Sequence, residues 1–130
     1  MPRGLRLVRT FDSEGLRLAD DTSSDLLILG QSVSLDGQHC LLADFHNQRV
    51  KSVSLQTGAL EELFREAEQG WCVSNMRELD VHGTRTLVVS ERKQSGASRL
   101  LICLQENGRY VRNHVLDLRE STCVCIRSIH

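Results

Sequence analysis

The strongest constraint on the fold of this chain is an internal repeat. Residues 39–58 contain an apolar stretch, a polar turn, an alternating stretch and a final turn that ends in glycine. Residues 85–108 repeat this order with a longer polar turn, and Gly37 and Gly83 lie 46 residues apart. A strand-rich repeat near this length is typical of propeller blades, because each unit is one small sheet that cannot bury its faces alone.

Strand patterns cover most of the chain. In the first unit we predict strands at Ser32–Leu35, His39–Phe45, Arg49–Leu55 and Leu60–Phe64. In the second unit we predict strands at Cys72–Leu79, Arg85–Glu91, Arg99–Leu104 and Arg109–Leu116. A helix through 60–67 competes with the fourth strand, since its apolar residues also fit helical spacing. We favour the strand, because the equivalent stretch 110–116 has a β-branched and aromatic pattern.

We therefore predict an all-β fold made of antiparallel, four-stranded blades of an incomplete β-propeller. The predicted parts are a partial blade at about 1–30, blades at about 31–66 and 71–117, and the start of a further blade at about 121–130. A closed propeller needs about four or more blades, and 130 residues are too few for that. We expect the chain to be a piece of a longer protein, a truncated product, or a unit whose open sheet edges close by self-association.

One stretch of the first unit resembles the NHL repeat. It runs from Asp36-Gly37 through an apolar strand to Ala43-Asp44 and then to Asn47–Val50, which follows the family pattern. In the second unit Ser90-Glu91 stands where the family has Ala-Asp, and only Arg99 is kept from the later part of the motif. The resemblance implies a propeller that mainly binds partners, with RNA-binding and enzymatic proteins in the wider group.

Composition restricts the partners and the location of the chain. Its 16 Lys and Arg against 17 Asp and Glu give a net charge of −1, which predicts no general attraction to nucleic acid or to an anionic membrane. No apolar run is long enough for a membrane span, and Arg9 and Asp12 interrupt any signal-peptide core. Cys40, Cys72 and Cys103 lie in strand-like stretches, as reduced buried cysteines do. We expect a cytoplasmic or nuclear protein with no membrane partner.

We predict a structural role for Asp44, Asn47 and Arg49. Asp and Asn suit a tight turn between two strands, because their side chains bond the local backbone. An arginine at the start of the next strand can then pair with an acidic neighbour. These three residues are therefore expected to hold the turn rather than to form a catalytic site.

No cofactor and no metal site are predicted. The pair Cys123 and Cys125 with His130 has no second Cys or His pair at a matching spacing, and a tetrahedral zinc site needs four ligands. The five histidines form no cluster, and no nucleophile elbow, phosphate-binding glycine loop or zinc-protease helix motif is present. We therefore expect that the chain is not an enzyme.

The predicted function is a non-catalytic protein–protein interaction module with a scaffold or adaptor role. Propeller partners usually meet the loops at one rim. The predicted rim residues are Phe45, His46, Asn47, Gln48, Trp71, Arg92, Lys93 and Arg119. Two interpretations stay open for Trp71, which is either an exposed contact residue or is buried between blades.

Two alternative functions use the same architecture. RNA binding at the rim requires that Arg92, Lys93, Arg99 and Arg119 converge, because phosphate contacts dominate such binding. A propeller hydrolase or lyase with a metal in its channel needs acidic or His side chains on the inner strands. The stretch Cys72–Leu79 offers only Glu78.

Overall fold

The described part of the chain is built from two antiparallel sheets. The computed structural model describes residues 12–23 and 26–118. Its elements are a short 3-10 helix (Glu14–Leu16) and strands β1 (Ile28–Val33), β2 (His39–Asp44), β3 (Arg49–Ser54), β4 (Leu60–Arg65), β5 (Cys72–Val81), β6 (Thr84–Arg92), β7 (Ser98–Glu106) and β8 (Arg109–Leu118). Sheet 1 has the order β1-β2-β3-β4 and sheet 2 the order β5-β6-β7-β8, and neither closes on itself. The prediction of an all-β fold is confirmed.

The strand ends differ from the sequence prediction mainly at β1. This strand begins at Ile28 and ends at Val33, because the next residues form a turn in which the Gly37 amide donates to the Ser34 carbonyl oxygen (3.0 Å). Over 60–65 the strand forms and the helix does not, since β4 pairs with β3 along its length. In residues 12–23 and 26–118 no helix is long and apolar enough to cross a membrane.

One of the predicted parts lies outside the described residues, and another lies partly outside them. The further blade expected at about 121–130 is outside the described residues, and so is Arg119. Of the partial blade expected at about 1–30, residues 1–11, 24 and 25 are also outside them.

The repeat seen in the sequence is also a repeat of strand register. Asp44 at the end of β2 is directly opposite Arg49 of β3, and Glu91 of β6 is directly opposite Arg99 of β7. The β1–β2 and β5–β6 pairs each carry a bulge next to the position opposite that acidic residue. The two sheets therefore place an acidic residue and an arginine at equivalent points of the ladder.

The main hydrophobic core lies between the two sheets. Sheet 1 contributes Leu41, Ala43, Val50 and Phe64, and sheet 2 contributes Val73, Met76, Leu87, Val89, Leu101, Cys103 and Tyr110. Successive strand residues point to opposite faces, so Leu41 and Ala43 face sheet 2 while Leu42 is buried on the other face. Burying each aliphatic side chain contributes roughly 1.5–3 kcal/mol, so this layer holds the sheets together.

Gly30 allows the first strands of the two sheets, β1 and β5, to approach closely. A Cβ atom at this position would lie 2.7 Å from the carbonyl oxygen of Ser74 and 2.7 Å from Oδ1 of Asn75. Contacts that short are repulsive, so any other residue would push β1 away from β5. The close contact brings the chain just before β1 next to the start of β5.

Candidate functional site

Three connections meet at one end of both sheets. They are the β2–β3 turn (45–48), the β4–β5 connection (66–71) and the β6–β7 loop (93–97). Because the strands are antiparallel, β2, β4 and β6 all end on this side. We call it the rim end, and it carries seven of the eight predicted rim residues.

An open apolar groove of about 660 Å³ lies at the rim end. Its described lining residues are Leu27, Leu29, Phe45, His46, Gly70, Cys72, Arg92, Lys93 and Gln94. We call this the rim groove. Four residues predicted from the sequence line it together: Phe45 and His46 in the β2–β3 turn, and Arg92 and Lys93 at the end of β6 and in the loop after it.

The two sides of the rim groove differ in chemistry. The chain before β2 and the β2–β3 turn supply Leu27, Leu29 and Phe45, and the two leucines are 37% and 41% exposed. The end of β6 and the loop after it supply Arg92 and Lys93. None of the described lining residues is acidic, so the groove combines an apolar wall with a cationic one.

Trp71 lies beneath the cationic wall and is buried, with 6% of its surface exposed. The Lys93 ammonium is 4.9 Å from the centroid of its ring, and the Arg99 guanidinium is 3.9 Å from it. Such cation–π contacts are attractive, so the ring holds both side chains in place. Trp71 therefore supports the groove and does not project from it.

Two further predicted rim residues have internal contacts. Asn47 is buried, and its Oδ1 accepts hydrogen bonds from the amides of Thr22 (2.9 Å) and Ser23 (3.0 Å). Its Nδ2 donates to Oδ2 of Asp44 (2.9 Å). Gln48 Nε2 donates to the Trp71 carbonyl oxygen (2.7 Å) and thus joins the two loops. Both residues shape the rim end from within.

A buried charge cluster ties residues 12–23 to sheet 1. Lys51 Nζ lies 2.6 Å from Asp21 and 2.8 Å from Asp44, and its side chain is fully buried. Arg49 Nη1 lies 2.8 Å from Asp20 and 3.1 Å from Asp21. Hydrogen bonds from Arg49, and then from Arg65, lower the pKa of Asp20 to about 2. We call this the Arg49 cluster.

An equivalent cluster ties the β4–β5 connection to sheet 2. Arg99 Nε donates to Glu91 Oε1 (2.8 Å), and its Nη1 donates to Glu68 Oε2 (2.9 Å). Its Nη2 lies 3.4 Å from Glu66 Oε2. Burial, and then a hydrogen bond with Glu66, raises the pKa of Glu91 to about 8. We call this the Arg99 cluster.

Sequence reasoning missed the acidic partners of both arginines. Asp20 and Asp21 precede sheet 1, and Glu66 and Glu68 precede sheet 2. The available signal was an acidic pair roughly thirty residues before Arg49 and again before Arg99. The apolar wall of the rim groove was missed too, although the run 26–29 is apolar without the alternation of a half-buried strand.

Ser34, Asp36 and His39 bring the three side-chain types of a catalytic triad together at the β1–β2 turn. Ser34 Oγ, however, donates to Asp36 Oδ1 (2.5 Å), and the His39 amide donates to Ser34 Oγ (3.1 Å). The serine hydroxyl therefore does not donate to the imidazole, which would have to take its proton. The hydrogen bond from Ser34 is the main reason that the pKa of Asp36 falls to about 2. The trio stabilises the β1–β2 turn.

The pKa values of two described thiols, Cys72 and Cys103, are raised. Burial, and then the charge of Glu91, raises the pKa of the Cys72 thiol, so this groove residue is not an activated nucleophile. Burial raises the pKa of Cys103 to about 12. Within 12–23 and 26–118 no group of three or more His, Cys, Asp and Glu side chains could hold a metal ion. Cys123, Cys125 and His130 lie outside these residues.

The fold and the site define a class of protein. It is an all-β protein of two stacked antiparallel sheets, with an apolar groove that is flanked by cations at one end. No protein-family model matches the chain, and no curated protein matches it. The resemblance to NHL repeats thus rests on the motif residues themselves.

Proposed function

We propose that this protein is a non-catalytic protein-interaction module, built on NHL-like propeller blades, that binds a partner protein in the rim groove. One observation carries the proposal. Phe45 and His46 lie in the β2–β3 turn of sheet 1, Arg92 and Lys93 lie at the end of β6 and in the loop after it in sheet 2, and all four line one groove with two exposed leucines.

The chemistry of the groove supports protein binding. Exposed leucines beside an aromatic ring form a contiguous apolar surface, and such surfaces mark interaction sites on folded proteins. Arginine and aromatic residues are enriched in protein interfaces. The described thiols Cys40, Cys72 and Cys103 are free, which supports the cytoplasmic or nuclear location included in this proposal.

The contacts of Arg99 and Glu78 favour protein binding over the two alternatives. RNA binding needs Arg99 on the surface, but Arg99 is 5% exposed and surrounded by three carboxylates. The hydrolase or lyase hypothesis needs Glu78 at a channel metal. Glu78 instead accepts hydrogen bonds from the Tyr110 hydroxyl (2.5 Å) and the Leu35 amide (2.8 Å).

The test compares proteins captured from a nuclease-treated lysate of the source cells by the full chain and by two variants. Leu29→Glu places a charge in the groove. Leu116→Glu is the matched control, because Leu116 is 44% exposed on β8 and is not one of the described residues that line the groove. We expect quantitative mass spectrometry to show partners that the wild type and Leu116→Glu capture and Leu29→Glu loses. Identical sets for all three chains would contradict the proposal.

A further inference from the structure

The two cations of the rim groove have no acidic partner in the described region. The Arg92 side chain is exposed and makes no ion pair or hydrogen bond with any other described residue. Lys93 contacts the ring of Trp71 and no described carboxylate. Carboxylates lie within 4 Å of six of the eight other described arginines, namely Arg17, Arg49, Arg65, Arg99, Arg109 and Arg112. The groove therefore presents unneutralised positive charge in a chain whose net charge is −1.

The apolar wall of the rim groove exposes hydrophobic surface to water. More than a third of the surface of Leu27 and of Leu29 is exposed, next to Phe45. The Phe45 ring packs edge-on against the His46 ring, with the two ring centroids 5.7 Å apart. Water at this wall can be displaced by an apolar side chain, and that displacement favours binding. The groove volume of about 660 Å³ is enough for a few side chains.

We propose that the occupant of the rim groove is a short acidic–apolar peptide segment of the partner protein. This inference rests on the proposed function and narrows it to one class of ligand. An apolar side chain of the segment packs on Leu27, Leu29 and Phe45. A neighbouring carboxylate meets Arg92 and Lys93, which supply the charge complementarity that selects acidic over basic segments.

The experiment selects ligands from a displayed library of random peptides on the full chain, with counter-selection on Leu29→Glu. The expected result is enrichment of sequences that place Asp or Glu beside Leu, Ile, Phe or Met. Enrichment of basic sequences, or the absence of any sequence that depends on the groove, overturns the inference.

A second measurement uses fluorescence anisotropy of one selected peptide and a twin in which lysines replace its acidic residues. Arg92→Glu is expected to weaken the acidic peptide about tenfold, which corresponds to about 1.4 kcal/mol. Arg85→Glu is the matched control, because Arg85 is exposed near the opposite end of the same strand, β6. Equal weakening by the two variants, or equal affinity for the lysine twin, overturns the inference.

These experiments distinguish an error in the ligand class from an error in the proposal that the rim groove binds a partner protein. If Leu29→Glu still abolishes partner capture but selected peptides are not acidic, only the ligand class is wrong. If capture never depends on the groove, the proposed function fails as well. If single-stranded RNA displaces the selected peptide, the occupant of the groove is RNA and the inference is wrong. If the molar mass in solution falls to that of the monomer in Leu29→Glu, the occupant is a second copy of this chain.

Discussion

The Arg49 cluster and the Arg99 cluster occupy equivalent places in the two sheets. In each, an arginine at the start of the third strand lies opposite an acidic residue at the end of the second strand. Each arginine also receives carboxylates from the chain segment that precedes its sheet. The clusters thus join successive parts of the described chain by the same kind of ionic contact.

The difference between the clusters is one buried lysine. Lys51 is two residues after Arg49 and lies between Asp21 and Asp44. The equivalent residue two positions after Arg99 is Leu101, which is fully buried in the core. Glu91 therefore has an arginine but no buried lysine beside it, and its pKa is raised to about 8 by burial and by Glu66. The repeated backbone does not impose the same charge balance on the two sheets.

The largest change in the free energy of unfolding is expected when the Arg49 cluster is made to resemble the Arg99 cluster. Lys51→Leu removes the ammonium between Asp21 and Asp44 and leaves two buried carboxylates with one cation fewer. Breaking a buried pair in this way costs about 3–5 kcal/mol. We expect the free energy of unfolding in urea to fall by that amount. The control, Leu101→Met, keeps the volume of a core side chain and is expected to cost less than about 1.5 kcal/mol. Equal losses would show that the ion pairs of Lys51 add nothing.

The second expected effect is a pH dependence of the free energy of unfolding, which arises from Glu91 in the Arg99 cluster. Because the pKa of Glu91 is raised from 4.5 to about 8 in the folded state, the folded chain binds this proton more tightly than the unfolded chain. The contribution of Glu91 to stability is complete below about pH 4.5 and is lost as the pH rises to about 8.

Glu91→Gln is expected to remove the loss of stability that accompanies deprotonation of Glu91. Its free energy of unfolding should fall less than that of the wild type between pH 5 and pH 8, as measured by urea unfolding at several pH values. Parallel profiles for the two chains would show that the proton on Glu91 is not linked to folding.

The smallest change in the free energy of unfolding is expected for a substitution at Arg92, which follows Glu91 in β6 and has no described ion pair. Arg92→Glu should change the free energy of unfolding by no more than about 0.5 kcal/mol, as surface substitutions away from special features do. Circular dichroism during thermal unfolding measures this. A larger loss would mean that Arg92 stabilises the fold, and the binding data for this variant would then need another groove variant, Lys93→Glu.

Much of the fold could be predicted because local patterns agree with it. Alternation and turn residues located strands β2 to β8 within a few residues, and the repeat favoured a strand over a helix at 60–65. The start of β1 could not be found in this way. Its apolar run 26–29 reads as one block, yet only Ile28 onwards pairs with β2, and Leu27 and Leu29 are exposed in the groove.

The candidate site was predictable only in part. The loops that carry Phe45, His46, Arg92 and Lys93 could be placed on one rim from the order of the strands. Burial of Arg99 could not, because its partners Glu66 and Glu68 come from the β4–β5 connection.

The sequence by itself determined the β class, the strand order within each unit and the arginine near the start of each third strand. These follow from period-two alternation and from turns, which are local properties of the chain. Only the tertiary structure decided which charges are buried and which remain free. That distinction depends on how closely the sheets approach at Gly30 and on which carboxylates reach each arginine, since Coulomb energy and desolvation change steeply with distance and burial.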